Sequence, residues 1–269
     1  MTTPTLPLRP ARHRARVSRP LALAAVAHAL CGAPAAHAGE VTVAVAANFA
    51  GTLARIGEGF TAATGHTLKL SSGATGKFYT QIIAGAPFEV LLAADDETPK
   101  KLVDEGHAVR GTAFTYALGR LALWSPQPGF VDAQGAVLAS GKFQHLAIAN
   151  PRLAPYGRAA MEVLAARGLT ATLTPRLVVG ENIAQTYQFV LTGNAELGFV
   201  ALSQLLGSAR TASAGAGAFW LVPTTLHGPL RQDAVLLKAG ADKPAAQALL
   251  AHLKGVAARA VMQAHGYGH

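Results

Sequence analysis

VTVAVAANFAGTLARIGEGFTAATGHTLKLSSGATGKFYTQIIAGAPFEVLLA, residues 41–93, decides the fold class. Val41 to Ala47 is a short apolar run, which reads as a buried strand. Phe49, Leu53, Ile56 and Phe60 follow at spacings of 4, 3 and 4, one stripe of a helix. Gly65 closes that helix. His66 to Leu70 reads as a second strand and Ser71 to Ala74 as a loop. The pattern then predicts a helix from Thr75 to Ala84, stopped by Gly85-Ala86-Pro87, and a third strand from Phe88 to Ala93. A helix from about Pro99 to Glu105 comes next. This β-α-β-α-β rhythm implies a mainly parallel sheet flanked by helices.

Downstream, Tyr116 to Trp124 is one strand candidate, broken by Ser125-Pro126-Gln127-Pro128-Gly129. A second β/α set follows. Its strands are Leu146 to Ala149, Arg176 to Val179 and Leu197 to Val200, and its helices Arg158 to Arg167 and Ile183 to Leu191. Ser208 to Gly217 reads as a loop, Ala234 to Lys238 as a late strand, and Pro244 to Leu253 and Val256 to Ala264 as closing helices. Two such sets, linked near 116–124 and 224–236, imply an α/β chain of two lobes with a hinge. Lobe 1 is expected to hold residues 39–117 plus 225–269, and lobe 2 residues 118–224. Ligands in such folds sit in the cleft beyond the carboxyl ends of strands.

The opening residues read differently. Arg9, Arg12, Arg14, Arg16 and Arg19 form a basic segment without acids, Leu21 to Leu30 is a short apolar run, and Ala36-His37-Ala38 is an A-x-A cleavage site. The run is too short to span a bilayer core of roughly 30 Å as a helix. Residues 1–38 are therefore expected to be a signal peptide cleaved near Ala38, with the mature protein periplasmic. The 23 Lys+Arg and 14 Asp+Glu give +9 for the chain, but five of the arginines lie in the leader, which leaves +4 for the rest. That is no nucleic-acid footprint. The one cysteine, Cys31, also falls in the leader, so the mature chain has no disulfide and no cysteine metal site.

Four strand-to-helix junctions carry small, hydroxyl or amide residues: Ala46-Ala47-Asn48-Phe49, Ser72 to Lys77, Asn150-Pro151 with Ala154-Pro155-Tyr156-Gly157, and Gly180-Glu181-Asn182-Ile183. Each puts free N–H groups and the positive end of a helix dipole at a strand's carboxyl end. One alone is a plain N-cap; four that converge make an anion site. Gly73-x-x-Gly76-Lys77-Phe78 lacks the spacing and the Ser/Thr of a P-loop, and no G-x-S-x-G elbow occurs.

The stretch Gln81-Ile82-Ile83-Ala84-Gly85-Ala86-Pro87-Phe88-Glu89-Val90, continuing to Ala94-Asp95, resembles the Q-I-x-x-G-A-P-A-D-x-F-x-S-A-D block of the substrate-binding proteins of molybdate ABC importers. These are periplasmic binding proteins of the two-strand-hinge class, type 2. Asn150-Pro151, Pro155-Tyr156-Gly157, Ala195 to Val200 and Leu253-Lys254-Gly255 match further blocks of that family, in order, across residues 40–269. The resemblance implies a receptor that captures molybdate, and tungstate with it, for the membrane permease of an importer. It implies a monomer without catalysis or cofactor, in which molybdenum is bound only as the oxyanion. The implied ligand positions fall on Asn48, Thr75, Tyr156 and Ile183, the last through its backbone N–H. Some members carry a tyrosine where this chain has Ala201, and the phenol of Tyr156 is expected to take that part.

Neutral donors suit a fully deprotonated dianion, because every desolvated oxygen must recover a hydrogen bond and N–H or O–H donors to an anion are charge-assisted. A phosphate receptor needs an acceptor for P–OH, and none of the junctions offers an Asp. Sulfate must be rejected by size. A receptor for sulfate or phosphate is the alternative expectation, and a secreted enzyme on this scaffold is a third; Glu181 is its one carboxylate at a junction.

Overall fold

Ten strands among the described residues are divided between two five-stranded sheets of the same design. The computed structural model describes residues 1–3, 5, 38–208 and 217–268. The expected leader, apart from its last residue and a few at its start, and most of the expected loop 208–217 lie outside the described residues.

In chain order the elements are β1 (Glu40–Ala46), α1 (Ala50–Thr64), β2 (Thr67–Gly73), α2 (Thr75–Ile83), β3 (Val90–Leu92), α3 (Glu97–Asp104), β4 (Phe114–Gly119) and β5 (Leu121–Ser125). Then come α4 (Val137–Ser140), β6 (Leu146–Ala149), α5 (Pro155–Ala166), α6 (Thr170–Leu173), β7 (Leu177–Gly180), α7 (Ile183–Leu191), β8 (Leu197–Ala201) and α8 (Leu202–Ser208). The chain closes with β9 (Ala218–Leu221), β10 (Leu230–Leu236), α9 (Pro244–Leu253) and α10 (Val256–Ala264).

The first sheet runs β2-β1-β3-β10-β4, with β1 parallel to β2 and β3, and β10 antiparallel to β3 and β4. The second runs β7-β6-β8-β5-β9, with β6 parallel to β7 and β8, and β5 antiparallel to β8 and β9. Largely buried on both faces, β1, β3, β6 and β8 are near-continuous apolar runs, whereas the edge strand β2 alternates and carries Lys69, Ser71 and Ser72. Leu53, Ile56 and Phe60 of α1 meet Val41, Val43 and Val45 of β1 together with Leu249 and Leu253 of α9. Phe60 is fully buried, so truncating it to alanine costs about 3–5 kcal/mol. Gly65, at φ 74°, ends α1 by donating its N–H to Thr61 O, in the left-handed conformation that favours glycine.

Several expectations need correction. Tyr116 to Trp124 is two strands: β4 pairs with β10 in the first sheet, β5 with β8 and β9 in the second, and the chain changes sheets at Arg120. The late strand begins at Leu230, because β4 gives it partners back to that residue. Ser71 to Gly73 belong to β2, paired with β1. The helix expected from Arg158 starts at Pro155, where proline without an N–H suits the first helical position. Helix α8 and edge strand β9 were not anticipated.

The two sheets meet closely. One apolar cluster joins Ala46, Ala47, Ala74 and Ala94, beside the first sheet, to Ala154, Tyr156 and Ile183 beside the second.

Candidate functional site

All four expected positions line one small cavity. Asn48 follows β1, Thr75 opens α2, Tyr156 lies in the first turn of α5 and Ile183 opens α7. Their neighbours Ala47, Ala74, Ala94, Pro155 and Asn182 complete most of the wall, and every lining residue is uncharged. The cavity leaves room for a single small guest and little more. Larger hollows elsewhere carry charged side chains in their walls, Lys254 and Arg259 in one and Asp95, Glu97, Arg158 and Glu162 in another.

The donors are left free by the local folding. Ala94 N–H donates to Thr75 Oγ1 at 2.9 Å, which leaves the Thr75 proton for a guest. The N–H of a residue opening a helix has no carbonyl four residues back. Neither Thr75, Tyr156 nor Ile183 finds another acceptor for that group among the described residues. Asn182 caps α7 by accepting from Ala184 and Gln185 N–H at 2.9 and 3.1 Å, and so leaves Ile183 N–H unused. Three helix N-termini, each with its partial positive charge, thus face one point.

Behind Asn48 lies a polar network that the sequence reading missed. Asn48 Nδ2 donates to Gln232 Oε1 at 2.9 Å and to Tyr267 Oη at 3.1 Å. The hydroxyls of Tyr267 and Ser203 both reach Asn48 O, at 2.8 and 2.9 Å. Gln232 Nε2 donates to Tyr156 Oη at 3.1 Å, and Arg120 N–H reaches the same oxygen. A Cβ on Gly119 would overlap Tyr156 Oη and Gln232 Nε2, so any side chain there would push both groups aside. Burial pushes the phenols of Tyr116 and Tyr156 well above their ordinary range, and that of Tyr267 up to about 12. All three stay neutral at physiological pH.

Ala201 is buried at the end of β8, donates its N–H to Gln204 Oε1 and does not line the cavity. The charged groups of the junctions stand outside. Lys77 pairs with Glu181 at 3.6 Å and Arg158 with Glu97 at 3.1 Å, each pair spanning the two sheets. Asp95 accepts from Thr98 N–H at 3.0 Å at the start of α3. Among the described residues no group of three or more His, Cys, Asp or Glu side chains could hold a metal ion, and no helix is long and apolar enough to cross a membrane.

Two matched sheets closing on a neutral, donor-lined cavity of single-ion size define a two-lobed small-ligand binding protein. The chain belongs to the bacterial extracellular solute-binding protein family, whose model matches residues 41–268. It is 56% identical over 234 residues to the molybdate-binding protein ModA of Azotobacter vinelandii, covering 87% of this chain and 92% of that one. It is 51% identical over 232 residues to the molybdate-binding protein ModA of Rhodobacter capsulatus, covering 86% and 89%. Its fold superposes on the periplasmic molybdate-binding protein of Azotobacter vinelandii with a TM-score of 0.81, at 41% identity, covering 85% of this chain and 99% of that one.

Proposed function

We propose that this chain is a periplasmic receptor that captures molybdate, and tungstate with it, between its lobes and delivers the ion to the permease of an ABC importer. The observation that carries this is the convergence of unused donors at Thr75, Tyr156 and Ile183, beside Asn48, on one uncharged cavity. The two relatives above half identity are named for molybdate binding.

In this reading the leader is removed near Ala38, and residues 39–117 with 225–269 close on residues 118–224 as the ion enters. Closure is favoured because the ion gains its full donor set only in the closed form. The protein acts as a monomer, catalyses nothing and needs no cofactor. A donor-only wall disfavours protonated phosphate, and sulfate is too small to span donors set for a larger ion. A thermal-denaturation series tests the reading. A ligand that binds only the folded form raises the midpoint by mass action, so molybdate and tungstate should raise it strongly, and sulfate and phosphate should not. No rise with molybdate would refute the proposal.

A further inference from the structure

Gln232 lies fully buried on β10, with the carboxamide of Asn48 on one side and the phenol of Tyr156 on the other. Both Asn48 Nδ2 contacts, to Gln232 Oε1 and to Tyr267 Oη, are with the network behind it. Asn48 Oδ1 is then left without a partner, on a residue only 4% exposed that lines the cavity. A buried acceptor left unbonded costs about 1–3 kcal/mol, and facing an oxyanion it would also repel it. A second conflict lies one residue away. Tyr116 Oη is 2.9 Å from Ala93 O and 3.0 Å from Gln232 Oε1, with one proton for two acceptors.

Turning both carboxamides over gives the orphaned acceptor its partners at no change in shape, since the oxygen and nitrogen ends are of equal size, and moves the shared proton from Tyr116 to Tyr267. Gln232 Nε2 then donates to Tyr116 Oη and to Asn48 Oδ1, and Tyr116 gives its proton to Ala93 O. Tyr156 donates to Gln232 Oε1 and Ser203 to Asn48 O, while Tyr267, 2.8 Å from Asn48 O and 3.1 Å from the turned amide end, shares its one proton between Asn48 O and Oδ1. Asn48 Nδ2 takes the place of the unpartnered oxygen.

We propose that Gln232 is a positioning residue for the oxyanion: the bound ion and Gln232 together hold Asn48 with its Nδ2 toward the cavity. The phenol of Tyr156 then serves the ion through Gln232 rather than by direct contact. This rests on the cavity being an oxyanion site.

The test uses the purified protein and molybdate. Calorimetry is run on wild type, Gln232→Met, Asn48→Ala and the double variant. Gln232→Met should weaken binding about 10-fold in the wild-type background and by less than about 2-fold in the Asn48→Ala background. Equal losses in the two backgrounds would assign Gln232 a merely structural role and overturn the proposal. Side-chain amide NMR of ¹⁵N-labelled wild type decides independently of whether the variants fold. The Asn48 and Gln232 amide signals should both move on saturation with molybdate, and unmoved signals overturn the proposal. Wild type that gives no heat with molybdate overturns the oxyanion reading itself, and this inference with it; heat without coupling overturns this inference alone.

Discussion

Gly76 donates its backbone N–H to Leu153 O at 2.9 Å, from the start of α2 beside the first sheet to the turn before α5 beside the second. A Cβ on Gly76 would stand 3.1 Å from Leu153 Cα and O, closer than most such atoms rest. In the proposed closure this contact belongs to the closed form, and disturbing it acts on that form. Gly76→Ala should lower molybdate affinity about 10-fold, or ~1.4 kcal/mol, and leave the ligand-free melting temperature unchanged. Unchanged affinity would show that closure does not need this approach.

Thr75 and Ile183 offer opposite tests of side-chain and backbone donors. Thr75→Ser keeps the hydroxyl and should bind within a few-fold of wild type, whereas Thr75→Ala and Asn48→Ala should each lose about 1.5–3 kcal/mol, or roughly 10- to 150-fold. Ile183→Ala keeps its N–H, so affinity should hold while the buried side chain's loss destabilises the fold by about 2–5 kcal/mol. Calorimetry paired with urea unfolding separates the two. An Ile183→Ala protein that folds but does not bind would remove the backbone donor from the account.

The ion pairs that cross the cleft mouth, Lys77–Glu181 and Arg158–Glu97, are largely exposed on both partners. Exposed pairs contribute about 0–1 kcal/mol and are screened by salt. Glu181→Gln and Glu97→Gln should therefore change affinity by less than about 5-fold. A larger loss that disappears at high salt would make these pairs part of the recognition.

Glu196 ties the start of β8 to the start of β6. Its oxygens accept from Gln144 and His145 N–H at 3.1 and 2.9 Å. Burial raises its pKa, but the N–H donors outweigh that and the net shift is downward. A depressed folded value means stability that is present above the unfolded carboxylate pKa and lost as pH falls through the folded one. Glu196→Gln should be less stable than wild type at neutral pH, and the difference should vanish in acid. Urea unfolding across pH checks this; a difference that stays constant would assign it to packing.

The parts of the fold legible in sequence are those where one element decides its own pattern. Val41 to Ala47 and Leu146 to Ala149 are apolar because both faces are covered, and Phe49, Leu53, Ile56 and Phe60 mark one helix face. The break at Arg120 was not legible, because residues 116–124 are uniformly strand-like and only their partners differ. Strand β9, four residues on an edge, has no pattern of its own. The site divides in the same way. Asn48, Thr75, Tyr156 and Ile183 stand at strand-to-helix junctions, which sequence can locate. Gln232, Ser203 and Tyr267 reach Asn48 from 184, 155 and 219 residues away, and no local signal marks them.

A neutral donor cavity should select a large, fully deprotonated oxyanion. The first measurement is isothermal titration calorimetry of residues 39–269 with molybdate, tungstate, sulfate and phosphate. Molybdate and tungstate should bind tightly and one to one, and sulfate and phosphate should give no heat. Heat from sulfate or phosphate with silence from molybdate would keep the fold and contradict the account of its ligand.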